Sequence, residues 1–245
     1  MIIRLADRME VSLGQGFFPC EGKTAKDVHA EQSMENGALA VTLTAEESRV
    51  CFLRLRWNFT DSEQIRESVK VLGDAWERSY GDLAWLPMDR ERILPWVCAV
   101  SNGTDSTLDY NGRWTWCFGV KTQPGAFCQW QMDQEGVTLT CDVRNGGTGV
   151  ILQGRTLNVC EIVMQEYRDV SAFQAMTRFY PLLCDQPLRP DAPIYGANNW
   201  YYAYGKSSAD EIRQDGALIS RLSSNAENRP FMVIDDGWQK NPTDG

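Results

Sequence analysis

The sequence predicts a multidomain chain of the β plus α/β kind: an antiparallel β-sandwich, a helix with a proline-rich linker, and a strand–helix–strand unit. Three observations carry this. Apolar and polar residues alternate with period two through the first two thirds, with Asn-Gly turns between the runs; Pro187, Pro190 and Pro193 interrupt the chain; and the unbroken apolar run Phe231-Met232-Val233-Ile234 ends on Asp235-Asp236-Gly237-Trp238. The expected boundaries are 1–168 for the sandwich, 169–192 for helix and linker, and 193–245 for the α/β unit.

The sandwich strands show the alternation directly. Cys51, Leu53, Leu55 and Trp57 share one face, with Phe52, Arg54 and Arg56 on the other. Val137, Leu139, Cys141 and Val143 alternate with Thr138, Thr140 and Asp142, and Leu39, Val41 and Leu43 repeat the pattern. Asn36-Gly37, Ser101-Asn102-Gly103, Asn111-Gly112 and Asn145-Gly146-Gly147 supply the turns, because Asn and Gly tolerate the left-handed backbone that tight hairpins need. Many short strands with such punctuation bury one face of each sheet against the other.

After Tyr167 the period changes. Phe173, Met176, Phe179 and Tyr180 have helical spacing within 171–183, and the prolines that follow cannot continue a helix. Ile194 to Trp200 forms a short strand-like run ending in the aromatics Trp200, Tyr201, Tyr202 and Tyr204. Ser208-Ala209-Asp210-Glu211 has the form of a capping box, and Ile212, Leu218, Ile219 and Leu222 offer an apolar stripe to the helix it opens. Phe231 to Ile234 then has the composition of a parallel strand buried on both faces. Strand, helix and strand in that order make a right-handed βαβ unit.

Composition narrows the function classes. Of the 245 residues 43% are hydrophobic and 23% charged, so a sizeable core is expected. The net charge of -9 disfavours nucleic acid and anionic membranes, which reward clustered Lys and Arg. Neither a signal-peptide stretch at Met1–Arg8 nor a run near the roughly 20 apolar residues of a membrane span occurs, which predicts a soluble, cytoplasmic protein. The eight cysteines lack any C-x-x-C pair and are expected as free, buried, small hydrophobes. The single His29 lies in a polar stretch and precludes a multi-histidine metal site.

The chemistry concentrates at strand ends. In α/β barrels functional residues lie where the strands finish, and here Trp200 follows the first strand while Asp235, Asp236 and Trp238 follow the second. Carboxylates accept from sugar hydroxyls and indole rings pack on sugar C–H faces, so the clusters suit one pyranose ring. Retaining glycosidases hold their two carboxyls roughly 5 to 5.5 Å apart. Neighbouring strand residues point to opposite faces, which suits Asp235 and Asp236 to holding hydroxyls rather than breaking bonds. An Asp-Asp-Gly sequence also makes an ordinary turn, and Trp200 with its tyrosines also suits core filling. Two adjacent acids are a weak divalent-cation signal.

Phe231 to Trp238, with Asn198-Asn199-Trp200 on the strand before, resembles the opening of the α-galactosidase barrel of glycoside hydrolase family 36. Gly73-Asp74-Ala75-Trp76-Glu77-Arg78-Ser79-Tyr80-Gly81-Asp82-Leu83 resembles a segment of that family's amino-terminal sandwich. The resemblance implies that 193–245 begins a (β/α)8 TIM barrel, that Asp235 and Asp236 bind galactose hydroxyls, and that Trp200 walls the pocket, with Trp238 a weaker candidate. It implies a retaining enzyme of terminal α-galactosides, with an α-galactoside oligosaccharide as ligand, no metal or other cofactor, and room for a homo-oligomeric parent. The family's nucleophile and acid/base are aspartates of later strands, so no catalytic residue is assigned. The 245 residues are therefore expected to be an amino-terminal fragment, inactive alone, whose 193–245 segment is poorly protected.

Tyr201 stands where many α-galactosidases carry Glu, and Gln239 after Trp238 also resembles raffinose-synthase and seed-imbibition relatives, which keeps a galactosyl transferase open. A carbohydrate-binding sandwich without chemistry is the reading from another class. Trp76, Tyr80 and Trp85 are expected either in the sandwich core or on a loop that shapes the sugar pocket.

Overall fold

The computed structural model describes residues 3–20, 25–60, 65, 69–76, 83–104 and 110–238. The chain divides into two compact units, Met1–Asp185 and Gln186–Gly245.

The first unit is built from β1 (Arg8–Ser12), β2 (Phe18–Pro19), β3 (Val28–Glu35), β4 (Ala38–Ala45), β5 (Arg49–Val50), β6 (Phe52–Asn58), β7 (Lys70–Gly73), β8 (Leu86–Pro87), β9 (Leu94–Pro95), β10 (Val97–Ser101), β11 (Trp114–Val120), β12 (Phe127–Asp133), β13 (Gly136–Asp142), β14 (Val150–Ile151) and β15 (Leu157–Arg168). They form a sheet in the order β2-β1-β6-β13-β12-β9 and another in the order β3-β4-β15-β11-β10-β7-β8, with β14 paired to β5 beside them. The sheets are antiparallel, as the alternation requires.

Their inward faces meet in one core. Leu53, Leu55, Trp57, Trp130 and Leu139 come from one sheet, and Leu39, Val41, Leu43, Phe118 and Ile162 from the other. Trp130 lies at the centre, its ring 5.9 Å from those of both Trp57 and Phe118. The indole N–H groups of Trp57 and Trp130 have backbone acceptors, Arg4 O at 3.0 Å and Trp96 O at 3.1 Å, so neither is desolvated without compensation. The β3–β4 hairpin turns on Asn36 and Gly37, both at positive φ (49° and 80°), the conformation its sequence predicts.

Helix α1 (Ala172–Phe179) starts at a capping box: Gln174 N donates to Ser171 Oγ, and Ser171 N to Gln174 Oε1, each at 3.1 Å. A 3-10 turn, Tyr180–Leu183, extends it. The buried face is Ala172, Ala175, Met176 and Phe179, followed by Leu183. This corrects the predicted stripe, for Phe173 is 78% exposed and Tyr180 is also exposed. The helix packs on the outer face of the seven-stranded sheet, against Val97, Ala99, Cys117 and Val163. That cover explains why β10 and β11 are buried at nearly every position and show no alternation.

The second unit contains β16 (Gly196–Asn198), α2 (Trp200–Ala203), α3 (Ala209–Leu222) and β17 (Phe231–Val233). β16 and β17 pair in parallel, with Gly196 opposite Phe231 and Asn198 opposite Val233. The connection is a strand–helix–strand unit. The Ser208–Glu211 capping box forms as its residues predict. The apolar stripe of α3 does not: Ile212 and Ile219 are half-buried while Leu218 and Leu222 are exposed. Burial on both faces of the second strand is also not found. Phe231 is 58% exposed and Val233 and Ile234 are exposed, because β17 has a single strand neighbour among the described residues. Among the described residues no helix is long and apolar enough to cross a membrane.

Candidate functional site

The site predicted from strand ends lies within the second unit, and backbone register assembles it. Parallel pairing puts the ends of β16 and β17 side by side, so Asn198-Asn199-Trp200 and Asp235-Asp236 leave their strands together. Gly196 makes the pairing possible at this distance, since a Cβ there would stand 1.9 Å from Phe231 O.

Two asparagine side chains fasten the strand ends. Asn198 Nδ2 donates to Asp235 Oδ2 at 2.6 Å, and its Oδ1 accepts from Trp200 N at 2.7 Å, which sets the start of α2. Asn199 is 1% exposed; its Oδ1 accepts from Asp235 N at 2.8 Å, and its Nδ2 is buried without a hydrogen-bond partner among the described residues. The Asn198 amide holds the Asp235 carboxyl below its usual range, reinforced by the N–H of Asp236. Asp235 is thus an ionised, half-buried acceptor at neutral pH.

Asp236 is placed differently. It is exposed, and its Oδ1 accepts from Gly237 N at 2.8 Å in the turn that ends the strand. Gly237 (φ 94°) passes so close to Gly205 that a Cβ would lie 2.3 Å from Gly205 O, so the loops after α2 and β17 are in backbone contact. Trp200 is half-buried and meets Tyr204 edge-on at 5.9 Å, whereas Trp238 is 74% exposed. Tyr202 donates its hydroxyl to Asp215, which ties α2 to α3 and pushes the phenol up to about 12.

The structure therefore brings Trp200, Asp235 and Asp236 to one end of the β16–β17 pair, with Trp238 in the loop beyond. The tethering function of Asn198 and Asn199 was not predicted. The signal for it was the Asn-Asn pair directly before Trp200, since a short amide side chain at a strand end readily bonds neighbouring backbone. Among the described residues no third His, Cys, Asp or Glu atom joins Asp235 and Asp236 into a metal-ligand group. The arrangement sets hydrogen-bond acceptors beside an aromatic ring.

Trp76 and Trp85 do not share one aromatic cluster. Trp76 stands edge-on to Trp96 at 5.2 Å and to Phe127 at 6.1 Å, in an exposed patch on the first unit. Trp85 is half-buried against the layer beneath α1. Tyr80 and Gln239, with Glu77, Arg78, Ser79, Gly81 and Asp82 of the sandwich motif, lie outside the described residues.

No family model and no curated protein matches the sequence. Among solved structures, the ligand-free α-N-acetylgalactosaminidase NagBb from Bifidobacterium bifidum is similar at 9% identity and a TM-score of 0.37, over 95% of this chain and 47% of that one. The chain spans about half the length of that protein.

Proposed function

We propose that this chain is part of a retaining glycosidase acting on terminal α-galactosides, and that its second unit begins a (β/α)8 barrel. In this reading the β16–β17 strand ends form the hydroxyl-binding half of the sugar site. The observation that carries it is the hydrogen-bonded meeting of Asn198 and Asp235 at the ends of two parallel strands, beside Trp200. The motif Asp235-Asp236-Gly237-Trp238 supports the same substrate class through its resemblance to family 36 enzymes.

Asp235 and Asp236 would each accept from galactose hydroxyls, and Trp200 would pack on the C–H face of the ring. Bond cleavage belongs to other carboxylates: Asp235 is committed to Asn198, and Asp236 to the turn at Gly237. Hydroxyl contacts that tighten as the ring distorts would still lower the barrier. A galactosyl transferase of the same family would use this half-site identically, since transfer and hydrolysis differ only in the acceptor.

The test is calorimetric titration of the chain with methyl α-galactoside and with methyl α-glucoside. Weak binding of the galactoside only, abolished by Asp236→Ala with the fold retained, is expected. Equal binding of both sugars, or galactoside binding unaffected by both Asp236→Ala and Trp200→Ala, would exclude this site. Turnover of an aryl α-galactoside that disappears in Asp236→Ala would show instead that the pair does the bond-breaking.

A further inference from the structure

The core of the first unit contains a group of side chains for which packing alone is an incomplete account. Cys128 on β12 and Cys141 on β13 are direct cross-strand partners, and Cys160 on β15 faces them from the other sheet. The Sγ–Sγ distances are 3.8 Å for Cys128–Cys141 and 3.9 Å for Cys141–Cys160, and all three sulfurs lie within 4.8 Å of one another. None is in a disulfide.

Cys160 reaches this cluster through a break in its strand. Asn158 pairs with Thr42 and Cys160 with Val41, so Val159 is an extra residue, and Val159 and Cys160 are both buried in the core although adjacent in sequence. A bulge of this kind re-aims a side chain at the expense of regular pairing.

We infer that Cys128, Cys141 and Cys160 form a three-sulfur binding site for a soft monovalent metal ion, of which Cu(I) is the commonest biological example. An ion equidistant from three sulfurs at these separations would lie about 2.5 Å or less from each, close to the roughly 2.3 Å of a zinc–thiolate bond. Among the described residues no fourth His, Cys, Asp or Glu ligand atom joins the group. That disfavours zinc, whose structural sites are four-coordinate, and suits a soft ion content with three thiolates.

Cys160 also borders a surface cavity of about 280 Å³ lined by Glu35, Glu161 and Asp185, with Lys121 paired to the last two. Each sulfur that becomes a thiolate ligand releases its proton to water, so affinity falls as pH falls.

The experiment is anaerobic titration of the whole chain with Cu(I) against a chelating competitor, followed by sulfur-to-metal charge-transfer absorption and by X-ray absorption at the copper edge. One equivalent held by three sulfurs is expected. Cys160→Ala should weaken binding by about 100-fold or more, since even changes around the ligands cost 10- to 100-fold. Cys98→Ala and Cys184→Ala, outside the cluster, should leave it unchanged. Failure to take up one equivalent, two sulfur neighbours instead of three, or equal weakening by Cys98→Ala would overturn the site. Should Cys160→Ala not fold, the sulfur count on the unsubstituted chain decides the matter.

Discussion

At Gly119 the helical layer packs closely on the sandwich, and replacing it by alanine tests the packing directly. A Cβ at this position would stand 2.5 Å from Leu183 Cδ2 and 3.0 Å from Phe179 Cε1. Both side chains are in the buried layer beneath α1, so neither withdraws without opening space beside Cys117 and Met176. Overpacking of this kind costs about 1–3 kcal/mol. Removing a strand glycine returns about 0.5–1 kcal/mol through the unfolded chain, so at the middle of these ranges the net loss for Gly119→Ala is about 1 kcal/mol. In a chain of this size that lowers the midpoint of thermal unfolding by about 2–4 °C. Gly216→Ala is the matched control, because no atom lies within 4 Å of its Cβ position and it sits inside α3, where alanine is the better helix former. Scanning calorimetry should show Gly119→Ala unfolding the first unit earlier and Gly216→Ala leaving that unit unchanged. A first unit as stable in Gly119→Ala as in the unsubstituted chain would refute the close docking of Leu183 and Phe179.

Other outcomes follow from the same structure. Asn199→Ala removes the acceptor of Asp235 N and should cost about 1–3 kcal/mol in the second unit, seen as faster amide exchange at Asp235. Asp27 accepts from Ser48 Oγ, Ser48 N and Glu47 N and is lowered to about 2, so its stabilisation is complete above the unfolded value near 3.8 and is lost as pH falls towards 2. Asp27→Asn should flatten the pH dependence of unfolding in that window. Trp57→Phe leaves Arg4 O without its indole donor and opens space beside Trp130, a loss of about 1–3 kcal/mol measurable by urea unfolding. Hydrogen exchange should be slow in β11 and β13 and fast in β16 and β17, since no apolar side chain after Leu183 is fully buried among the described residues.

Local features were legible in the sequence wherever the cause was local. The alternation in β6 survives because one face meets the core and the other is only half-covered, whereas in β13 Thr140 on the outer face is buried as well. The Asn36-Gly37 turn and both capping boxes are decided by residues within four positions of each other. The Asp235–Trp238 motif and the strand before it were likewise legible, because strand ends and their polar residues are adjacent in the chain. The helix faces were misjudged because apolar spacing identifies a helix without saying which side its neighbours cover.

What the amino-acid order determined by itself was the element types, their punctuation and the polar chemistry at the last strand. Only tertiary structure decided that α1 would erase the alternation of β10 and β11, that Asn199 would be buried holding Asp235, and that Cys128, Cys141 and Cys160 would meet. The physical reason is the same in all three. Burial and side-chain contact depend on which surfaces pack together, and residues far apart in sequence become neighbours only when two sheets, or a helix and a sheet, exclude water between them.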